Sequence, residues 1–232
     1  MNLEMVLNLL SIGKDKLSKN FLDEAENYFY RALEEDPDSV EAFYQLSIVY
    51  QKKKKTPLKI EMYQKIITVD PYNRIALNNL GMEYAIMNDW QKAEEYFRKT
   101  IEYHPTEPET YYNLGFMLTE QQKCSLAEPL YQQAILLNPT NPEFHRSLGI
   151  VLCMQGKVEE GEQALLKAIE LGPAIADLYV SYGYSLITVK RFLEADLALN
   201  KALEIDPENA IAKENKKIVA YEIKKKQDSI QS

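Results

Sequence analysis

The side chains able to make or break bonds are few and scattered. The sequence holds two histidines and two cysteines. A histidine working as a general base or a metal ligand needs a second group to orient it or to share the ion. His104 and His145 stand 41 residues apart. His104 precedes a proline that ends a helix and is expected to be exposed. His145 falls at a bulky position and is expected to pack. Cys124 and Cys153 lack the C-x-x-C spacing and have no nearby histidine of metal-site type. They read as structural thiols, with no metal or cofactor implied. No dinucleotide-binding, phosphate-loop, serine-hydrolase or zinc-protease signature occurs. The pairs Glu94-Glu95 and Glu159-Glu160 read as solvated helix faces. The basic run Lys52 to Lys55 reads as a solvated turn. The expectation is a protein that is not an enzyme and has no catalytic residue.

Composition narrows the class further. Of 232 residues, 46% are hydrophobic and 27% charged, the balance of a globular chain. Apolar runs are only a handful of residues long, so no membrane span is predicted. The segment from Met1 to Ile12 contains Glu4 and lacks a basic start and a small-residue cleavage site. With so few cysteines, this predicts a cytoplasmic location. The formal net charge is −8, with 35 acids against 27 bases. Phosphate neutralisation needs the opposite balance, so nucleic acid is not an expected partner.

What organises the chain is a period. Six of its ten prolines, Pro37, Pro71, Pro105, Pro139, Pro173 and Pro207, follow one another at intervals of 34 residues. Chance repetition of that spacing has a probability on the order of 10⁻⁷ at ordinary proline frequencies. A small residue recurs at the same period: Gly13, Ser47, Gly81, Gly115, Gly149 and Gly183. Twelve residues later come Ala25, Lys59, Ala93, Ala127, Gly161 and Ala195, and four further on Phe29, Tyr63, Phe97, Tyr131, Leu165 and Leu199. The pattern, clearest as Leu77, Leu80, Gly81, Tyr84, Ala93, Phe97 and Pro105, resembles the tetratricopeptide repeat. The resemblance covers six repeats, about 6–37, 40–71, 74–105, 108–139, 142–173 and 176–207. It implies an all-α fold, a right-handed α-solenoid of helix-turn-helix units with a C-terminal solvating helix. By itself it implies no particular function.

Local signals agree with that fold. Each unit reads as two short amphipathic helices, and proline stops the second. Thr56-Pro57 reads as an N-cap followed by proline at the first helical position. Ser125 and Glu128 read as a capping box, with Pro129 in the first turn. After Pro207, residues 208–226 read as the capping helix and 227–232 as a disordered tail. Lys213, Lys216 and Lys217 would face solvent on that helix, and Ile211, Ile218 and Val219 would pack. At the other end, Asn8 and Asp15 make a polar leading surface.

In the tetratricopeptide family, the first helix of each pair lines a concave face that takes a partner segment. One residue after the small position stand Lys14, Ile48, Met82, Phe116, Ile150, Tyr184 and Ile218, nearly all apolar. Tyr44, Tyr112 and Arg146 precede the small position by three. Two before it is a ladder of amides and hydroxyls that includes Asn79, Asn113, Ser181 and Asn215. Six before it, Glu41, Glu109, Glu143 and Asp177 suggest an acidic rim. The reading is a groove with apolar anchors, amides that pair with a ligand backbone, and a preference for a neutral to basic protein or peptide. The same stripe could instead pack helix on helix. The basic grip by which cochaperone arrays hold chaperone C-terminal carboxylates is missing, since Glu109 stands where that grip wants lysine. Two alternatives remain open: self-assembly into homo-oligomers or an organelle coat, and a substrate-binding arm for a separate enzyme.

Overall fold

A computed structural model describes residues 2–172 and 175–231. Among them are thirteen α-helices and no strand. The chain divides into two compact units, Met1–Pro105 and Thr106–Ser232. Unit 1 holds three hairpins: α1 (Leu3–Ser18) with α2 (Leu22–Glu35), α3 (Val40–Lys52) with α4 (Thr56–Val69), and α5 (Arg74–Ile86) with α6 (Trp90–Tyr103). Unit 2 holds α7 (Pro108–Glu120) with α8 (Cys124–Leu137), α9 (Pro142–Met154) with α10 (Val158–Leu171), α11 (Ala176–Thr188) with α12 (Phe192–Ile205), and a final helix α13 (Ala210–Gln231).

Two backbone devices repeat. Inside every hairpin the turn carries one left-handed residue: Asn20, Lys54, Asn88, Gln122, Gly156 and Lys190, with φ between 56° and 80°. The next residue donates its N–H five residues back, as Phe21 to the Lys16 carbonyl at 2.9 Å and Arg191 to the Leu186 carbonyl at 2.9 Å. This closes the first helix by satisfying an orphan carbonyl. Between hairpins, the residue before each repeating proline is extended, for example Asp36 (φ −137°, ψ 89°) and Asn138 (φ −140°, ψ 87°). The proline ring forbids the helical conformation one residue ahead of it, so the second helix must stop there. Pro173, the fifth member of the column, lies outside the described residues.

The small column has a steric cause. A Cβ at Gly13 would lie 2.5 Å from the Phe29 ring, and one at Gly81 would lie 2.7 Å from the Phe97 ring. Each aromatic lies across the bare backbone of its own hairpin, fully buried. In the fifth hairpin the glycine meets backbone as well as a side chain. A Cβ at Gly149 would lie 2.9 Å from the Gly161 carbonyl oxygen, so two glycines let two helix backbones meet.

Several local expectations are corrected. The cap of α4 is Lys55, so Thr56 and Pro57 are its first two helical residues and no side chain closes the end. α8 begins at Cys124, which puts Ser125 and Glu128 inside the helix rather than in a capping box. Glu128 instead accepts from Lys157 at 2.7 Å and Gln155 at 2.9 Å, tying α8 to the next hairpin. Pro129 is also interior to α8. α13 continues to Gln231, beyond the Lys226 boundary that the sequence suggests. On it, Ala212 and Val219 pack, whereas Ile211 and Ile218 are exposed. Lys216 does not face open solvent: its ammonium meets Asp196 at 2.9 Å and also reaches Asn200. His145 is half-buried, not core, and its ring nitrogen lies 2.9 Å from the Pro139 carbonyl. His104 is likewise half-buried, 2.6 Å from the Tyr72 carbonyl.

Candidate functional site

Within unit 2, α9 approaches both α7 and α11, and α11 approaches α13, whereas α8, α10 and α12 do not approach one another. Hairpins that close up along one edge and splay along the other make the first helices an inner face. In unit 1 the same holds for α1 and α3. Side chains one residue past the small column lie on these first helices, so their chemistry sets that surface.

In unit 1 the face is mostly satisfied from within. Lys14 pairs with Glu41 at 2.8 Å, and Gln45 donates to the same carboxylate at 2.9 Å. Burial opposes ionisation of Glu41, yet those donors win and its carboxyl sits below the usual range. Asn79 donates to the Ile75 carbonyl of its own helix at 2.7 Å. Tyr44, Ile48 and Met82 are half-buried.

Unit 2 differs. At its start, Phe116 stacks on Tyr112 at 6.4 Å between centroids, and Tyr112 packs on buried Phe144 at 5.3 Å. The Tyr112 hydroxyl donates to Glu143 at 3.2 Å, and burial raises its pKa. Arg146 forks onto the same Glu143, at 2.9 Å through Nε and 2.5 Å through a terminal nitrogen. The hydrogen bond to Glu143 raises the arginine's pKa, so the base is spoken for. Two carboxylates of the expected rim, Glu41 and Glu143, are thus neutralised by neighbours. Asp177 accepts from Asn209 at 3.4 Å, and Glu109 is exposed. Asn113 is half-buried.

Further along unit 2, α9, α11 and α13 enclose a cavity of about 620 Å³. Its walls carry Ile150, Met154, Val180, Tyr184 and Ile211, with Leu165 of α10 behind them. Tyr184, 56% exposed, and Ile211, 62% exposed, stand at its mouth. Its polar positions are Ser181, Ser185, Thr188 and Asn215, together with the thiol of Cys153, whose pKa burial pushes up. Ile150 and Tyr184 are the predicted groove residues that meet here. Val180, Ser181 and Asn215 fall in columns legible from the repeat. Ile211 holds the column that carries Asp177 one repeat earlier and Glu143 two repeats earlier, and that change of sign in hydropathy was its signal. Met154 and Thr188, five residues past the small column, had none, because nothing in the period marks that position as facing inward.

Among the described residues no cluster of histidine, cysteine or carboxylate could hold a metal ion. No helix among them is long and apolar enough to cross a membrane.

Three segments, 75–107, 130–163 and 176–209, match profiles of the tetratricopeptide repeat. With its helical hairpins at the 34-residue period, the chain is a tetratricopeptide-repeat protein. Proteins of this family are in general interaction scaffolds rather than catalysts. Similar solved folds include a chain of the APC/C hetero-tetramer Cut9–Hcn1, at TM-score 0.74 and 19% identity. That match covers 94% of this chain but only 43% of the other, so this chain spans less than half its length. PilF of Pseudomonas aeruginosa matches at TM-score 0.75 and 19% identity over 91% of this chain and 96% of its own. YrrB, described as a tetratricopeptide-repeat protein with an unusual peptide-binding site, matches at TM-score 0.65 and 23% identity. That match covers 82% of this chain and 97% of YrrB. No curated protein sequence matches the chain.

Proposed function

We propose that this protein is a non-enzymatic scaffold that holds a peptide or helical segment of a partner protein against the inner face of unit 2. The observation carrying this reading is the apolar cavity between α9, α11 and α13, with exposed Tyr184 and Ile211 at its mouth. Its volume falls in the range of sites that bury most of a bound group, about 300–1,000 Å³. Apolar walls with a few fixed polar atoms are the composition of such sites. The stacked Tyr112–Phe116 pair on α7 extends apolar contact along the same unit. Neutralisation of Glu143 by Arg146 lowers the local charge, which suits an anchor that is neutral.

A peptide library displayed on phage tests the reading. Wild type should enrich peptides with apolar anchors, and Ile150→Asp/Tyr184→Asp should enrich none of them while keeping wild-type helicity by circular dichroism. Retention of the same peptides by the folded double variant would remove unit 2's inner face as the site. Self-assembly makes a different prediction: light scattering would show mass rising with concentration in wild type, and no enriched peptide.

A further inference from the structure

The cavity's polar atoms are arranged with a bias. Ser181 Oγ donates to the Asp177 carbonyl at 2.8 Å, Ser185 Oγ to the Tyr182 carbonyl at 2.7 Å, and Thr188 Oγ1 to the Ser185 carbonyl at 2.6 Å. A hydroxyl has one hydrogen, and each of these is spent on its own helix. What the three can still offer is lone pairs, of which Ser181 already gives one to an Arg146 N–H at 3.4 Å. None of the residues lining the cavity is charged, and the guanidinium that touches its wall, Arg146 on Ser181, is already neutralised by Glu143, so little is left to neutralise a carboxylate or a phosphate. Apart from the carboxamide of Asn215, which can donate or accept, the remaining walls are aliphatic, aromatic or sulfur-bearing, and the space is wider than one aliphatic side chain needs.

From this we infer that the cavity is an anchor pocket for a neutral aromatic group with a hydrogen-bond-donating edge, the indole of a tryptophan or the phenol of a tyrosine on the partner segment. Such a group brings a large apolar body and one N–H or O–H that must find an acceptor when buried. The spent hydroxyls of α11 supply acceptors on the wall. An acidic side chain would meet mostly acceptors, and the one guanidinium that reaches the wall, Arg146 at 3.4 Å from Ser181, is already paired with Glu143. A purely aliphatic anchor would fill the space but leave the lone pairs desolvated. This inference rests on the inner face of unit 2 being the binding site and adds the chemistry of the anchor.

Cys153, half-buried on the cavity wall, is a local reporter. In the full chain with Cys124→Ser, the rate at which a small maleimide labels Cys153, read by intact mass, measures occupancy. Three probes share one body: indole, 1-methylindole, which lacks the donor, and indole-2-carboxylate, which adds a negative charge. Indole should slow labelling at a concentration about threefold or more below that needed for 1-methylindole, the scale of one net hydrogen bond. The carboxylate should protect least. Ile211→Asp, at an exposed position that leaves folding intact, should abolish protection and keep labelling itself. Equal protection by indole and 1-methylindole, strongest protection by the carboxylate, or none from any probe overturns the inference. If the probes fail but displayed peptides are still selected by wild type and lost in Ile150→Asp/Tyr184→Asp, the anchor chemistry is wrong and the groove stands. If no peptide is selected either, both fall.

Discussion

The two units are built on one 34-residue template, yet they use the same positions for opposite ends. In unit 1 the contact between the second and third hairpins carries a buried ion pair. Lys59 replaces the small residue of its column and meets Glu83 at 2.6 Å, with side chains only 11% and 10% exposed. At the corresponding contact between α10 and α11, unit 2 places Gly161 and Ser185, and beside them stands the thiol of Cys153. Elsewhere the pairing is Ala25 with Val49, Ala127 with Val151 and Ala195 with Val219, all fully buried. One location therefore holds an apolar contact, a salt bridge or a wall beside a cavity, according to two side chains. The repeat fixes where neighbours meet, and the occupants decide whether the meeting is closed or open.

The sharpest way to break the comparison is at the ion pair. Lys59→Ala or Glu83→Ala alone should each cost about 3–5 kcal/mol, because the survivor is left buried and uncompensated. Lys59→Ala with Glu83→Val recreates the apolar pairing found at the other contacts and should return most of that loss. Urea denaturation reads all three. A double variant as unstable as the sum of the singles would mean that the pair is not a replaceable unit. In unit 2 the matching weak point is the double-glycine contact. Gly149→Ala should cost about 1–3 kcal/mol as an overpacked backbone approach. A Cβ there would meet the Gly161 carbonyl at 2.9 Å and Leu165 at 2.7 Å. Unchanged thermal stability would show that these helices can part.

Smaller effects come from the turns. Lys54 and Lys190 hold left-handed backbone at φ 56° and 61° without being glycine. Lys190→Gly should stabilise by up to about 1 kcal/mol, since glycine removes the Cβ penalty there. Gly156→Ala should lose a similar amount, with no contact changed, because nothing lies within 4 Å of the added Cβ. The smallest expected effect is acid sensitivity at the α8–α9 link. The hydrogen bond from Lys157 holds the Glu128 carboxyl below its ordinary value of 4.5. A carboxyl depressed in the folded state contributes stability above its unfolded pKa and loses it as pH falls through the folded value. Lys157→Met should therefore flatten the stability profile below pH 4.5, and an unaltered profile would put the acid sensitivity elsewhere.

The column logic shows how much was legible beforehand. The proline spacing and the small-aromatic pairing carried the hairpins, because each is a local steric rule: proline forbids helix before it, and a ring lies only over a bare backbone. Ile150 and Tyr184, offered as groove residues by the family resemblance, both line the cavity of unit 2. The left-handed column passed unseen because only Asn20, Asn88 and Gly156 are types that favour positive φ, while Lys54, Gln122 and Lys190 carry no such signature and break the pattern. The expected capping box failed because Ser125 and Glu128 have the right spacing two residues too late, the cap being Lys123, and spacing alone does not say where a helix begins.

The sequence by itself determined the period, the helix pairs and the side chains offered on each first helix, since those follow from steric rules acting within one repeat. Only the tertiary structure decided which offered groups remain available. Glu143 meets Arg146, Lys14 meets Glu41, and three hydroxyls turn to their own backbone, while Ile211 is left bare at the mouth of a cavity. Those outcomes depend on angles and reach between side chains, and a 34-residue repeat in one dimension does not encode them.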